Sequence, residues 1–292
     1  MTEFKFEWKP YLALFGGLVI LGFSAIFVRL AEAPGPVAGF YRMAIPGMLL
    51  AIPMIFRMKS RAIQLPRAAV RAALLGGLFF GLDLSLWASG IMLRGATIPT
   101  LMANTAPVWV GVGTLVVWRR RLPGLFWLGL AIAMAGVAVV LGLDAFKEFD
   151  LGLGSLMGLG AAIFYGAYFL VTQKARETID TPTYFWLSSS CSAVVLLVVV
   201  GLLGQPLTGY PSQGWLSFLA MGLVVQLVGW LALNYAQGHL PATIVSPTLL
   251  GQPVLTALLA WPILGESLGA GQLAGGLLVL AGVYLVHRSR GQ

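Results

Sequence analysis

The 292-residue sequence predicts an all-α integral membrane protein, with ten transmembrane helices arranged as two inverted five-helix repeats around a central cavity. Three observations predict it. Hydrophobic residues make up 59% of the chain and charged residues only 10%, where a soluble domain is about a quarter charged. Ten stretches are apolar over roughly the 20 residues that cross about 30 Å of hydrocarbon. Residues 96–140 and 242–286 align without a gap at a constant shift of 146, half the chain length, with eleven identities that include Ala96/Ala242, Thr97/Thr243, Pro107/Pro253, Gly129/Gly275 and Gly136/Gly282.

The predicted spans are 11–30, 37–56, 69–91, 96–117, 125–143, 152–173, 184–203, 214–237, 242–263 and 270–287. Residues 11–30 run longer than a signal-peptide core and lack a small-x-small cleavage site, so they read as an uncleaved first span. The connections are short, and the domain division is 1–147 for the first repeat and 148–292 for the second. Five spans per half is an odd number, so the second half enters from the opposite side of the bilayer. Within the spans, the pairs Gly77/Gly81, Gly154/Gly158 and Gly271/Gly275, each spaced by four, are expected at close helix contacts.

The formal charge of +8 reports topology. With the N-terminus inside, fourteen of the eighteen Lys and Arg residues fall on inside segments and three, Arg29, Arg94 and Lys147, outside. That bias places both termini in the cytoplasm of a bacterial-type inner membrane. The basic residues form no single solvated face, which argues against nucleic acid as a partner. The expected partners are the lipid bilayer and a small-molecule substrate, and a monomer is expected. The lone Cys191, inside the seventh span, allows no intrachain disulfide and is expected to be a buried apolar thiol. No P-loop, Gly-x-Ser-x-Gly or His-Glu-x-x-His motif occurs, and the only histidines are His239 and His287. Neither an enzyme nor a metal or other cofactor is expected. Trp8, Trp118, Trp127, Tyr184, Trp215, Trp261 and Tyr284 lie near span ends and read as an interfacial belt.

Pro107 sits near the middle of the fourth span and Pro253 near the middle of the ninth, with Pro99 and Pro247 as second breaks. Proline removes a donor and clashes with the carbonyl four residues back, here Ala103 and Leu249. Within hydrocarbon those groups must find a partner or line a wet cavity. Asn104 and Thr105 in one half, and Thr248 and Gln252 in the other, cluster beside them. A matched pair of interrupted spans with polar flanks points to a binding site at the midplane.

Together, the mid-span pairs Pro107-Val108 and Pro253-Val254, Leu264-Gly265-Glu266 after the ninth span, and the endings Gly129…Gly136-Val137 and Gly275…Gly282-Val283 carry a resemblance to the EamA family of the drug/metabolite transporter superfamily. The chain looks most similar to bacterial amino-acid exporters of the aromatic type. The resemblance implies a secondary-type exporter of small amphipathic metabolites, with amino acids foremost, working by alternating access. The alternative is a flippase or exporter of lipid-linked sugars or nucleotide-type metabolites. The first half departs from the pattern, with Arg119-Arg120-Arg121 where Leu-Gly-Glu is usual.

Among charged residues, Asp83 and Arg42 are the two embedded in spans. A charge at a helix centre costs about 2.5–3.5 kcal/mol on insertion scales, so something must compensate each. Asp83 is a candidate partner for a substrate amine or a proton site, and Arg42 a candidate for a substrate carboxylate. The alternative is a structural ion pair between them. Helical spacing groups further candidates for substrate binding: Asp83 with Trp87, Tyr165 with Tyr168, Gln226 with Trp230 and Asn234, and Thr248 with Gln252, beside Asn104. Tyr and Trp there would offer apolar walls with hydrogen-bonding tips. Interhelical hydrogen bonding is the competing role for each.

Overall fold

The computed structural model describes residues 7–60, 65–142, 152–265 and 268–291. Among the described residues, ten helices are long and apolar enough to cross a membrane: α1 (Trp8–Leu30), α2 (Gly35–Lys59), α3 (Arg67–Arg94), α4 (Thr97–Val117), α5 (Gly124–Leu141), α6 (Leu153–Arg176), α7 (Thr181–Leu202), α8 (Ser212–Gln237), α9 (Ala242–Leu264) and α10 (Ala270–Arg288). Each matches a predicted span to within a few residues. Lys147 and Glu266 lie outside the described residues. Large apolar side chains cover the outside of the bundle, among them Val116, Val117, Leu202, Leu277 and Leu280. Such a surface is stable only against lipid. The chain is a multi-pass membrane protein.

Small residues let the helices approach. Gly77 and Gly81 bring α3 onto Ser188, Cys191 and Val195 of α7, and Gly154 and Gly158 bring α6 onto Gly90 and Pro99. Gly271 has open space around it, so that glycine makes none of the contact its spacing predicts. The work falls instead to Gly275, whose added Cβ would sit 2.7 Å from the Gly136 carbonyl of α5. Cys191 is half-buried, with its thiol directed at the Leu74 carbonyl at 3.3 Å. Trp8, Trp261 and Tyr284 are exposed near span ends as the belt requires, but Tyr184 is fully buried, its hydroxyl 2.5 Å from Thr172 Oγ1. A tyrosine near a helix end turns inward when a neighbouring helix offers a partner for its hydroxyl.

The fourth and ninth spans are broken beside Pro107 and Pro253 as expected, whereas Pro99 and Pro247, expected as second breaks, stand within helical segments. In α4 the helix stops at Ala103 and resumes at Ala106, with Pro107 in the first turn of the new segment. In α9 the helix runs Ala242–Thr248, tightens to a 3₁₀ turn over Leu249–Gly251 and resumes at Gln252. Pro253 stands in the first turn of that second segment, where its missing N–H costs nothing. A third irregularity has no proline. In α8, residues Met221–Trp230 form a π-helix. Such wide turns are rare and concentrate at functional sites.

Candidate functional site

The two proline breaks meet. Asn104 and Pro107 from α4, Tyr165 and Phe169 from α6, and Ser246 and Gln252 from α9 line one cleft. In it, Asn104 spends its amide on its own helix, donating to the Thr100 carbonyl at 2.8 Å. Its carbonyl oxygen, the Tyr165 hydroxyl and the Gln252 carboxamide have no hydrogen-bond partner among the described residues. A second, larger and apolar cavity of about 280 Å³ adjoins Asn104 between α4 and α5, bounded by Leu101, Met102, Met134 and Val137.

Tyr165 joins the cleft to an aromatic cluster. Phe80 of α3 stacks on Tyr168 at 4.6 Å and on Tyr165 at 6.1 Å, and meets Trp230 at 4.5 Å between ring centroids. Phe169 closes the group at 4.7 Å from Tyr165. Such contacts are worth about 0.5–1.5 kcal/mol each beyond the area they bury. Tyr168 and Trp230 are fully buried, so they back the site as a rigid wall while Tyr165 presents its face and hydroxyl. The Tyr168 hydroxyl donates to Asn234 Oδ1 at 2.9 Å, which makes these two an interhelical tie between α6 and α8.

The remaining expected residues separate by role. Gln226 is buried and accepts from Arg42 Nε at 2.9 Å, while Arg42 Nη1 reaches Ser24 Oγ at 3.3 Å. Trp87 donates its indole N–H to Thr100 Oγ1 at 3.0 Å and so fastens α3 to the first segment of α4. Thr248 does not line the cleft. Its hydroxyl bonds to the Ile244 carbonyl at 2.7 Å and to His287 Nε2 at 2.7 Å, because the 3₁₀ turn after it rotates Thr248 and Gln252 onto different sides of α9. The ion pair weighed for Asp83 and Arg42 is not formed: Arg42 spends its bonds on neutral partners, and Asp83, only 6% exposed, has no hydrogen bond or ion pair among the described residues. The described residues also hold no cluster of three potential metal ligands.

Residues 152–288 match the EamA-like transporter family. The chain is 26% identical to the pseudopaline exporter CntI of Pseudomonas aeruginosa, over 90% of both chains. It is 25% identical to a probable terminal-alkyne amino-acid exporter of Streptantibioticus cattleyicolor, over 65% of this chain and 63% of that one. The second half of the chain carries the likeness to this family. A solved crystal structure with 17% identity superposes on this chain with a TM-score of 0.77, covering 96% of this chain and 98% of that one, which shows a shared fold.

Several residues that shape the bundle around the site escaped the sequence. Phe80 lies three positions before Asp83, and Phe169 four after Tyr165, the spacing that places side chains on one helix face. In helices this apolar, a phenylalanine facing the cavity looks like one facing lipid. Arg176 reads as a topological charge, yet it donates to the main-chain oxygens of Ile179 and Asn234, the latter at 3.1 Å, and to Thr181 Oγ1 at 2.6 Å.

Proposed function

We propose that this protein is a secondary transporter that exports small amphipathic metabolites, amino acids foremost, through the cleft between its two proline breaks. The observation that carries the reading is the convergence of Asn104, Tyr165 and Gln252, from three helices, with polar atoms left unpaired in a partly apolar space. A site of this kind fixes a solute by a few placed polar groups and takes its affinity from the apolar and aromatic walls. Pro107 and Pro253 hold the helix ends open there. The transporter names of its relatives, two of them exporters, support the direction of transport.

The working motion is a rocking of residues 1–147 against 148–292 as inverted copies, in a cytoplasmic membrane with both termini inside. The α5–α10 contact supports the inversion, because the two helices cross antiparallel through glycines that are equivalent under the 146-residue shift. One chain forms the whole cleft, which supports a monomer as the working unit. Substrate gradients, or protons, supply the energy. The transporter names of its relatives support movement of the solute without chemical change.

The test is a radiolabelled amino-acid panel in proteoliposomes, with and without an imposed pH gradient. At least one amino acid should cross, and Asn104→Ala or Gln252→Ala should lower the rate at least tenfold in folded protein. Lipid scrambling without movement of any amino acid would reject the reading in favour of a flippase.

A further inference from the structure

Arg42 and Asp83 form an unusual arrangement within a membrane protein. Arg42 is 8% exposed and Asp83 6%. They stand on neighbouring helices and feel each other's charge, and Tyr165 feels both. Yet they are not in ion-pair contact. Arg42 is held by two neutral acceptors, Gln226 at 2.9 Å and Ser24 at 3.3 Å, and no carboxylate meets it among the described residues. A buried ion pair that can close normally does, since each uncompensated charge in hydrocarbon costs several kcal/mol. Here Gln226 and Ser24 hold the guanidinium in place and away from the carboxylate.

What lies around the gap is also set. Phe80 stands one helical turn from Asp83 and stacks on Tyr165 and Tyr168. Gln226 stands about one turn from Trp230 in the π-helix of α8, and Trp230 returns to Phe80 at 4.5 Å. Arg42 bonds to Gln226, Trp230 on the same helix meets Phe80, and Phe80 shares α3 with Asp83, so one positive group, one negative group and an aromatic wall fall in one neighbourhood. Tyr165 links this neighbourhood to the cleft at the proline breaks.

We infer that Arg42 and Asp83 are a separated pair that reads a zwitterion: Arg42 takes the carboxylate, Asp83 takes the ammonium, and Phe80 and Tyr165 take an apolar or aromatic side chain. The inference rests on the proposed export of metabolites and narrows their class to free α-amino acids. An ion of either sign alone would leave one buried charge unmatched. A molecule carrying both neutralises the two at once, and this is the source of discrimination when polar groups are buried in a site. The arrangement also rejects esters and N-acyl derivatives, in which one of the two charges is masked.

The experiment uses the purified full chain, with thermal unfolding and counterflow in liposomes as readouts. The probes are L-phenylalanine and L-leucine, each beside its methyl ester, which lacks the carboxylate, and its N-acetyl derivative, which lacks the ammonium. The expected result is that at least one free amino acid raises the unfolding midpoint and drives counterflow, while both derivatives bind at least tenfold more weakly. Arg42→Gln should abolish the preference over the ester, and Asp83→Asn the preference over the N-acetyl form. Derivatives that bind wild-type protein as well as the parent would overturn the inference, as would failure of both amino acids to bind. The wild-type series stands even if a variant fails to fold. Liposomes that carry other metabolites but show no zwitterion preference would leave the export reading intact and remove only this one.

Discussion

Gly129 of α5 and Gly282 of α10 face each other so closely that a Cβ on Gly129 would lie 2.7 Å from the Gly282 carbonyl, and one on Gly282 would lie 2.5 Å from the Gly129 carbonyl. Gly136 and Gly275 repeat the contact at 2.6 and 2.7 Å. Since Gly129 corresponds to Gly275 and Gly136 to Gly282 in the duplicated sequence, each contact is the image of the other. This is the pattern that a two-fold axis between α5 and α10, the proposed inversion of the halves, would produce.

The glycines should therefore resist substitution in equivalent pairs. Gly282→Ala and Gly136→Ala each push a methyl into main-chain atoms of the facing helix, and overpacking of that kind costs about 1–3 kcal/mol. Both variants should lower the unfolding midpoint in detergent. Gly271→Ala, in open space, should leave it unchanged or raise it.

Positions 104 and 252 should react with aqueous thiol reagents when replaced by cysteine in a Cys191→Ala background, because both line the cleft. Position 248, buried and bonded to His287, should react far more slowly. Equal reactivity at 248 and 252 would contradict the rotation that the 3₁₀ turn imposes on α9.

Arg176 ties the end of α6 to the start of α7 and the end of α8, with Gly238 leaving room for the guanidinium. Gln173 Oε1 adds a bond from the Ala242 N–H at 2.6 Å, which joins α6 to α9. Charge-assisted bonds to three acceptors are worth about 1.5–3 kcal/mol each before solvent competes. Arg176→Ala should loosen this end of the bundle. In right-side-out and inverted vesicles, labelling of a cysteine at 252 should rise several-fold from the side that bears Arg176 and not from the other.

Reporters inserted after residue 208 and fused after residue 292 should appear on opposite faces of the membrane, the second in the cytoplasm. An odd number of spans, α8, α9 and α10, separates them. Both reporters on one face would dismantle the inverted arrangement of the halves.

The sequence carries the spans and the breaks plainly because both depend on strong local terms: the length of apolar runs, and a ring that cannot donate. Asn104, Tyr165 and Gln252 were legible for the same reason, as polar groups that must avoid lipid. The π-helix was not, since a spacing of four puts Gln226 and Trp230 near one face whether the turn is α or π. Nor could spacing separate Thr248 from Gln252, because their shared face exists only if the helix continues through Leu249–Gly251 as an α-helix. Asp83 and Arg42 were found as embedded charges, but whether they touch depends on Ser24 of the preceding span and on Gln226, which sits on a helix far away in the chain.

The bond from Arg42 to Gln226 spans 184 positions of sequence. At a synthesis rate of about 5–20 residues per second, the arginine waits roughly 10–40 seconds before its partner exists. During that interval α2 and α3 are in the membrane with two charges that nothing from α8 can steady. Until then, among the described residues, Ser24 of α1 is the one side-chain partner of Arg42 already made, and the apolar residues of the first half must carry the rest of the cost through insertion. Biogenesis, more than the finished fold, is then the stage at which a second polar residue in α2 or α3 would be hardest to accommodate.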